Sequence, residues 1–311
     1  MNNEAPILIV GHSRPEKLRN LLTSLRSLRP SKILFAIDGP REHVSGESVR
    51  VIECQKLVEE IDWPASIETL FRKSNLGIRY AIPDSVSWAV SKYGKVIVLE
   101  DDVLVGPQFL DFANKMLDIY KLENNVSHVN GYNLAPVNMI SNSSFSHRFS
   151  RYTSSYAWAT WEASWSEFDD SMEWAKNLSF RELREVCGSY SGAIVWQSHF
   201  NDALKENVDT WAYRWLASIW SKNKKCISPN SNLIVYDGFQ EGTHTRRKVR
   251  WHPLPITELI FSPINRLEIK DNFDIDADKW LGKNVFQETL VGAVDAVLAS
   301  KALTLLKFLN K

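Results

Sequence analysis

Short apolar runs and spaced apolar stripes take turns along the first hundred residues of this chain. Residues 6–10 form a compact apolar run that stops at Gly11, the pattern of a strand buried on both faces. Ser13-Arg14-Pro15-Glu16 then reads as a helix start, a capping box with proline in the first turn. Leu18, Leu21, Leu22, Leu25 and Leu28 follow on one helical face. Residues 32–37 make a second strand, which ends in the turn sequence Asp38-Gly39-Pro40. A helix around 47–61 has Val51, Leu57, Val58 and Ile61 as its inner face, and a third strand at 67–71 closes in Arg72-Lys73-Ser74-Asn75-Leu76-Gly77. A helix through Ile82, Val86, Ala89 and Val90 leads to a fourth strand over 96–99. Four such alternations predict an α/β fold, a mostly parallel sheet wound with right-handed crossovers and helices on both faces.

The second half has a different texture. A helix through Phe109, Phe112, Met116, Leu117 and Tyr120 precedes a strand at 126–132, and residues 136–152, rich in Ser and Asn, read as a long loop. Tyr156 to Trp161 is followed by a helix-like stretch at 162–174 and by helical patterns at 180–186, 193–204 and 211–220. A strand at 232–235 leads into the Gly-rich stretch 237–245. The last helix is apolar at 291, 294, 298, 302, 305 and 309, a stripe expected to pack on the body. With Lys301, Lys307 and Lys311 nearby, peripheral contact with a membrane surface is the alternative. No repeat and no Ser/Gly linker divides the chain, so one continuous domain with an elaborated helical second half is expected.

Chemistry enters at the fourth strand, which runs into Glu100-Asp101-Asp102. Three adjacent carboxylates repel and raise one another's pKa, unless a cation reverses the sign. Mg²⁺ or Mn²⁺ takes one or two protein carboxylates and fills its other positions with water and phosphate oxygens. The other strand ends carry His12 and Arg14, Asp38, and Arg72 with Asn75, all at the edge where open α/β sheets bind ligands. The first strand is not followed by Gly-x-Gly-x-x-Gly or by Gly-Lys-Ser/Thr, which argues against dinucleotide-binding and P-loop chemistry. Lys plus Arg and Asp plus Glu each total 37, and this zero net charge argues against a nucleic-acid partner. The three cysteines lie far apart and fit a reducing compartment. The N-terminus lacks the pattern of a signal peptide and no apolar run is long enough to span a bilayer, so a cytoplasmic location is expected. Most of the 12 tryptophans fall between Trp158 and Trp251, where they can build core or offer flat faces to sugars.

These pieces together resemble a glycosyltransferase of the GT-A fold, a Rossmann-like nucleotide-diphospho-sugar transferase. The likeness is to bacterial family-2-like sugar transferases of surface-polysaccharide loci and, more distantly, to N-acetylglucosaminyltransferase I. It rests on Ile9-Val10-Gly11-His12-Ser13-Arg14-Pro15, Asp38-Gly39-Pro40, Arg72 to Gly77, Val98 to Asp102, Ala157-Trp158-Ala159-Thr160-Trp161, Asp209 to Trp215 and Gly242-Thr243-His244-Thr245. The resemblance implies a domain over 1–250, with a nucleotide-binding half (1–135) and an acceptor half (136–250), and a C-terminal extension over 251–311. It implies an inverting, Mn²⁺- or Mg²⁺-dependent transfer from a nucleotide-sugar donor, UDP-sugar favoured, to a saccharide or lipid-linked saccharide acceptor. Asp102 would ligate the metal, and Glu100 and Asp101 would hold ribose or metal-bound water. Asp38 would accept from the base, and Arg14 would sit near the diphosphate. His12, Arg72 and Asn75 would line the donor site, and His244 would contact the diphosphate or metal. Trp158 and Trp161 would stack on sugar or pack in the core.

Asp209 would be the base that takes the acceptor's proton. In several relatives the residue after the tryptophan is also acidic, and here it is Ala212. Asp209 also has a purely structural reading, as N-cap of the helix that follows. Two other functions compete. A sugar-nucleotide nucleotidyltransferase would need a Gly-rich phosphate loop after the first strand, and a non-catalytic carbohydrate-binding protein would have no need for the carboxylates.

Overall fold

The computed structural model describes residues 4–141, 143–238, 254–259 and 272–309. The first half follows the predicted rhythm: β1 (Ile7–Gly11), α1 (Pro15–Leu25), β2 (Lys32–Ile37), α2 (Glu47–Lys56), β3 (Ser66–Phe71), α3 (Ile78–Tyr93) and β4 (Lys95–Glu100). Then come β5 (Val103–Val105), α4 (Phe109–Ile119), β6 (Val126–Asn130), β7 (His147–Ser150) and β8 (Ala157–Trp161). Helices α5 (Glu162–Trp165), α6 (Glu173–Asn177), α7 (Phe180–Cys187), α8 (Tyr190–Leu204) and α9 (Ala212–Ser221) follow, with β9 (Lys225–Pro229) and β10 (Ile234–Tyr236). Helices α10 (Ile275–Asn284) and α11 (Leu290–Leu309) end the chain.

Eight strands form one sheet in the order β3-β2-β1-β4-β8-β6-β9-β7. The first four are parallel, β8 runs antiparallel between β4 and β6, and β7 is an antiparallel edge. Alternate strand residues enter opposite cores. Ile7, Ile9, Phe35, Ile97 and Leu99 face α1, α2 and α4, while Leu8, Val10, Leu34, Val96 and Val98 face α3 and the helices of the second half. Burial on both faces is why these strands read as unbroken apolar runs. The chain moves from β1 outward to β2 and β3, then returns to place β4 on the other side of β1. That reversal leaves a crevice between the ends of β1 and β4, the usual ligand position in an open α/β sheet.

The structure corrects several expectations. Ser13 makes no capping box, because its hydroxyl bonds His12 Nδ1 (3.2 Å) and the α1 cap is backbone only. The expected loop at 136–152 contains β7, which pairs with β9, a strand with no clear apolar signal. Their interior is partly polar: Arg148 bonds Pro229 O (2.7 Å) and Asn133 Oδ1 (2.8 Å), and His147 bonds the Tyr120 hydroxyl (2.7 Å). Buried polar groups paired with one another erase the hydrophobic pattern that would have announced the strands. The helix expected over 162–174 is interrupted where the Asp169 carboxylate accepts from the Ser171 and Glu173 amides (2.9 and 2.7 Å). The strand expected at 232–235 becomes β10, which leaves the main sheet to pair with β5.

The apolar stripe of α11 does not pack on the body. Val291, Val294, Leu298 and Leu305 are 59–72% exposed, while the opposite face lies along α8 through Ala293 and polar bonds. Ser300 donates to Asp202 Oδ1 (2.6 Å), Asn207 to Thr304 Oγ1 (3.0 Å), and Lys307 to Lys205 O (2.7 Å). The rest of this C-terminal segment is built into the body. Asp278 accepts from Ser150 Oγ (2.6 Å) and the Arg151 amide (2.9 Å), and Glu288 accepts from Tyr152 Oη (2.7 Å) and Trp196 Nε1 (2.6 Å). The expected boundary near residue 250 lies outside the described residues. Among the described residues no helix is long and apolar enough to cross a membrane.

Candidate active site

A pocket of about 430 Å³ opens at the crevice between β1 and β4. Its wall includes His12, Arg14, Asp38, Asn75, Glu100 and Asp101, and Asp209 from the second half. The sheet explains why these meet. Parallel strands end at one edge, so the residues after β1, β2, β3 and β4 gather there whatever their separation in sequence.

Arg14 bridges the first and fourth strand ends. Its Nε donates to Asp101 Oδ2 (3.1 Å), its Nη2 donates to Asp101 Oδ1, and the same Nη2 lies 3.1 Å from Asp102 Oδ2. Burial works against the guanidinium's charge, but Asp101 and Asp102 outweigh it and hold Arg14 more firmly protonated than usual. One cation faces three carboxylates. Glu100 is pushed well above the ordinary carboxylate range by desolvation, then by Asp102 and Asp101. Asp101 is raised by burial, with Arg14 opposing, and Asp102 is pushed up to about 6 by burial and Asp101.

Behind Asp102 the chain doubles back. The β5–β10 ribbon brings the Asp237 amide to Asp102 O (2.8 Å), and Lys17 of α1 holds Asp237 through its carbonyl (2.6 Å) and Oδ2 (3.0 Å). A Cβ at Gly238 would lie 2.7 Å from Asp102 Oδ2, so only glycine allows the backbone this close. The acidic triplet therefore presents hard oxygen donors in a partly desolvated, undercharged site. Among the described residues no three His, Cys, Asp or Glu side chains gather as a metal cage. The donors fit a small divalent ion that takes its remaining positions from phosphate and water, as Mg²⁺ and Mn²⁺ do.

Asp38 is already occupied. It accepts from the amides of Gly39 (2.9 Å), Leu76 (3.1 Å) and Gly77 (3.1 Å) and from Asn75 Nδ2 (2.9 Å). In this arrangement the carboxylate shapes the 72–77 loop rather than offering a free acceptor to a base. Asn75 also donates to Gly39 O (3.0 Å), which His12 Nε2 meets at 3.0 Å. Arg41, also on the pocket wall, pairs with buried Glu47 (2.5 Å) and is the main cause of that carboxyl falling to about 2.

Asp209 is exposed, and among the described residues it makes no hydrogen bond. Its Oδ2 stands 3.2 Å from where a Cβ at Gly77 would be, and Gly77 has φ +80°. It does not cap α9, whose Ala212 amide meets the Thr210 hydroxyl instead (3.2 Å). Arg79 holds the preceding segment by donating to Glu206 (2.8 Å) and Asp170 (2.8 Å).

Three expected site residues lie elsewhere. Arg72 turns away from the pocket onto α3, donating to Ala81 O (3.3 Å), Asp84 (2.5 Å) and Ser85 (3.0 Å). Trp158 is fully buried, its ring 5.1 Å from both His128 and Trp211, and Trp161 donates to Leu117 O (2.9 Å) from the opposite core. Both tryptophans are packing residues. His244 lies outside the described residues. Sequence reading missed Lys17, Arg41 and Arg79. Only Arg41, two residues beyond the Asp38-Gly39 turn, had a local signal.

No protein-family model matches the chain, and no curated protein matches it in sequence. Among solved structures, a provisionally named glucose-1-phosphate thymidylyltransferase of Bacillus anthracis, in complex with a sucrose, is 7% identical. The match covers 56% of this chain and 76% of that one at a TM-score of 0.31, too low to bear on function.

Proposed function

We propose that the chain is a metal-dependent, inverting glycosyltransferase of the GT-A type, moving a sugar from a nucleotide diphosphate, UDP favoured, to a saccharide acceptor. The observation that carries this reading is the presence of Asp209, a carboxylate without partners among the described residues, on the wall of the pocket lined also by Arg14, Glu100 and Asp101. Transfer by direct displacement needs these two functions in one cavity. A cationic end must receive the leaving diphosphate, and a base must receive the acceptor's proton.

Arg14 supplies a two-pronged donor for phosphate oxygens. Asp102, with Asp101 beside it, would hold Mn²⁺ or Mg²⁺, which neutralises charge on the departing diphosphate. Asn75 and His12, which meet at the Gly39 carbonyl, would border the nucleotide. Asp209 would take the proton of the attacking hydroxyl as the new glycosidic bond forms. One displacement inverts the anomeric centre and needs no second carboxylate as nucleophile. A thermal-shift screen of nucleotide sugars with and without Mn²⁺ tests the reading. A donor-specific upward shift that needs the metal supports it, and the absence of any shift across the panel counts against it.

A further inference from the structure

The cation at the acidic triplet is part of the protein. Arg14 Nη2 lies between Asp101 Oδ1 and Asp102 Oδ2, the oxygen a divalent ion would need. A metal approaching Asp102 meets a fixed like charge at contact distance, and like charges that close repel strongly in a partly buried site. The arginine cannot relieve this by losing its proton. It can relieve it by moving, because the side chain is 26% exposed on the pocket side and phosphate oxygens suit its fork as well as carboxylates do.

We propose that Arg14 is a built-in counter-cation whose transfer from Asp101 and Asp102 to a nucleotide diphosphate couples donor binding to metal binding. The inference rests on the reading of the pocket as a metal and nucleotide-diphosphate site. Without nucleotide, Arg14 stays on the carboxylates and keeps metal affinity low. When a diphosphate enters, it draws the guanidinium away, frees Asp102 for the ion, and supplies the phosphate ligands the carboxylates lack. By linkage the metal must tighten the nucleotide by the same factor. Metal and donor would therefore load together, and the triplet would not collect stray divalent ions in an empty enzyme.

Removing this cation should therefore improve metal binding. Mn²⁺ is titrated into the full chain at pH 7.5 and free ion is followed by electron paramagnetic resonance. Wild type, Arg14→Gln and Arg14→Lys are compared alone and with saturating UDP, GDP or dTDP. Arg14→Gln is expected to bind Mn²⁺ alone about tenfold or more tighter than wild type, and to show a smaller gain on adding nucleotide. Arg14→Lys, which keeps the charge but cannot span two carboxylates, should fall between and carries the test should the glutamine variant not fold. Adding Asp102→Asn to either variant should abolish the gain. If the Arg14 variants bind Mn²⁺ alone no better than wild type while wild type binds it with nucleotide, the coupling role falls and the site reading stands. If no protein binds Mn²⁺ under any condition, both fall.

Discussion

Asp102→Asn should make the metal-free protein more stable, and only at neutral pH. The Asp102 carboxyl is raised from 3.8 to about 6 in the fold. The folded chain therefore holds a proton between those values that the unfolded chain has released, so stability declines as pH rises from about 4 to about 6 and stays lower above that. A rise of about two units corresponds to roughly 3 kcal/mol of destabilisation at pH 7.5. That figure already includes the attraction of Arg14 to Asp102, and in the variant Arg14 keeps Asp101. The gain is then up to about 3 kcal/mol, which for a chain of this length is up to roughly 5 °C in Tm. Calorimetry in EDTA at pH 7.5 and pH 4 reads it directly, with the gain present at the first and absent at the second. Mn²⁺ with a nucleoside diphosphate should stabilise wild type at pH 7.5 and leave the variant unmoved. A variant less stable than wild type at pH 7.5, or shifted equally at both pH values, would refute the picture of an undercompensated acidic cluster.

The geometry carries four further outcomes. Asp209→Asn should lower kcat by roughly 10²-fold or more, with donor binding and Tm unchanged because the carboxylate is exposed and makes no bond among the described residues; turnover near wild type would send the search for the base elsewhere. Trp158→Ala should cost about 3–5 kcal/mol in denaturant unfolding, a loss in the core, and a variant of wild-type stability with a raised KM for sugar would instead restore the stacking role. On α11, replacing Val294, Leu298 and Leu305 together by Ser should change unfolding free energy by about 1 kcal/mol or less, whereas Glu288→Ala, which orphans Tyr152 and Trp196, should cost about 2 kcal/mol.

The first half of the fold was legible because its strands are buried on both faces and its helices on one, so burial and hydrophobic pattern coincide. The second half hid β7 and β9 because Arg148, His147 and Ser150 find polar partners inside the protein, in Asn133, Tyr120 and Asp278. The apolar stripe of α11 was legible as a stripe, but not its direction: small residues and side-chain hydroxyls dock that helix, and neither shows in a hydrophobic pattern. Strand ends were enough to bring His12, Arg14, Asp38, Asn75, Glu100 and Asp101 to one pocket. They could not say that Arg72 would turn onto α3, since an arginine near a strand end has reach in every direction. Nor could they reveal Lys17 or Arg79, whose partners Asp237 and Glu206 lie 220 and 127 residues away.

Transfer of a sugar from a nucleotide diphosphate can be read from the nucleotide products. The full chain is incubated with a panel of nucleotide sugars, Mn²⁺ and pyrophosphate, with EDTA controls, and the nucleotide products are separated by anion exchange. A glycosyltransferase should release nucleoside diphosphate slowly from one donor class, dependent on metal and lost in Asp102→Asn. Formation of nucleoside triphosphate and sugar 1-phosphate would instead mean nucleotidyl transfer and rule out the glycosyltransferase reading.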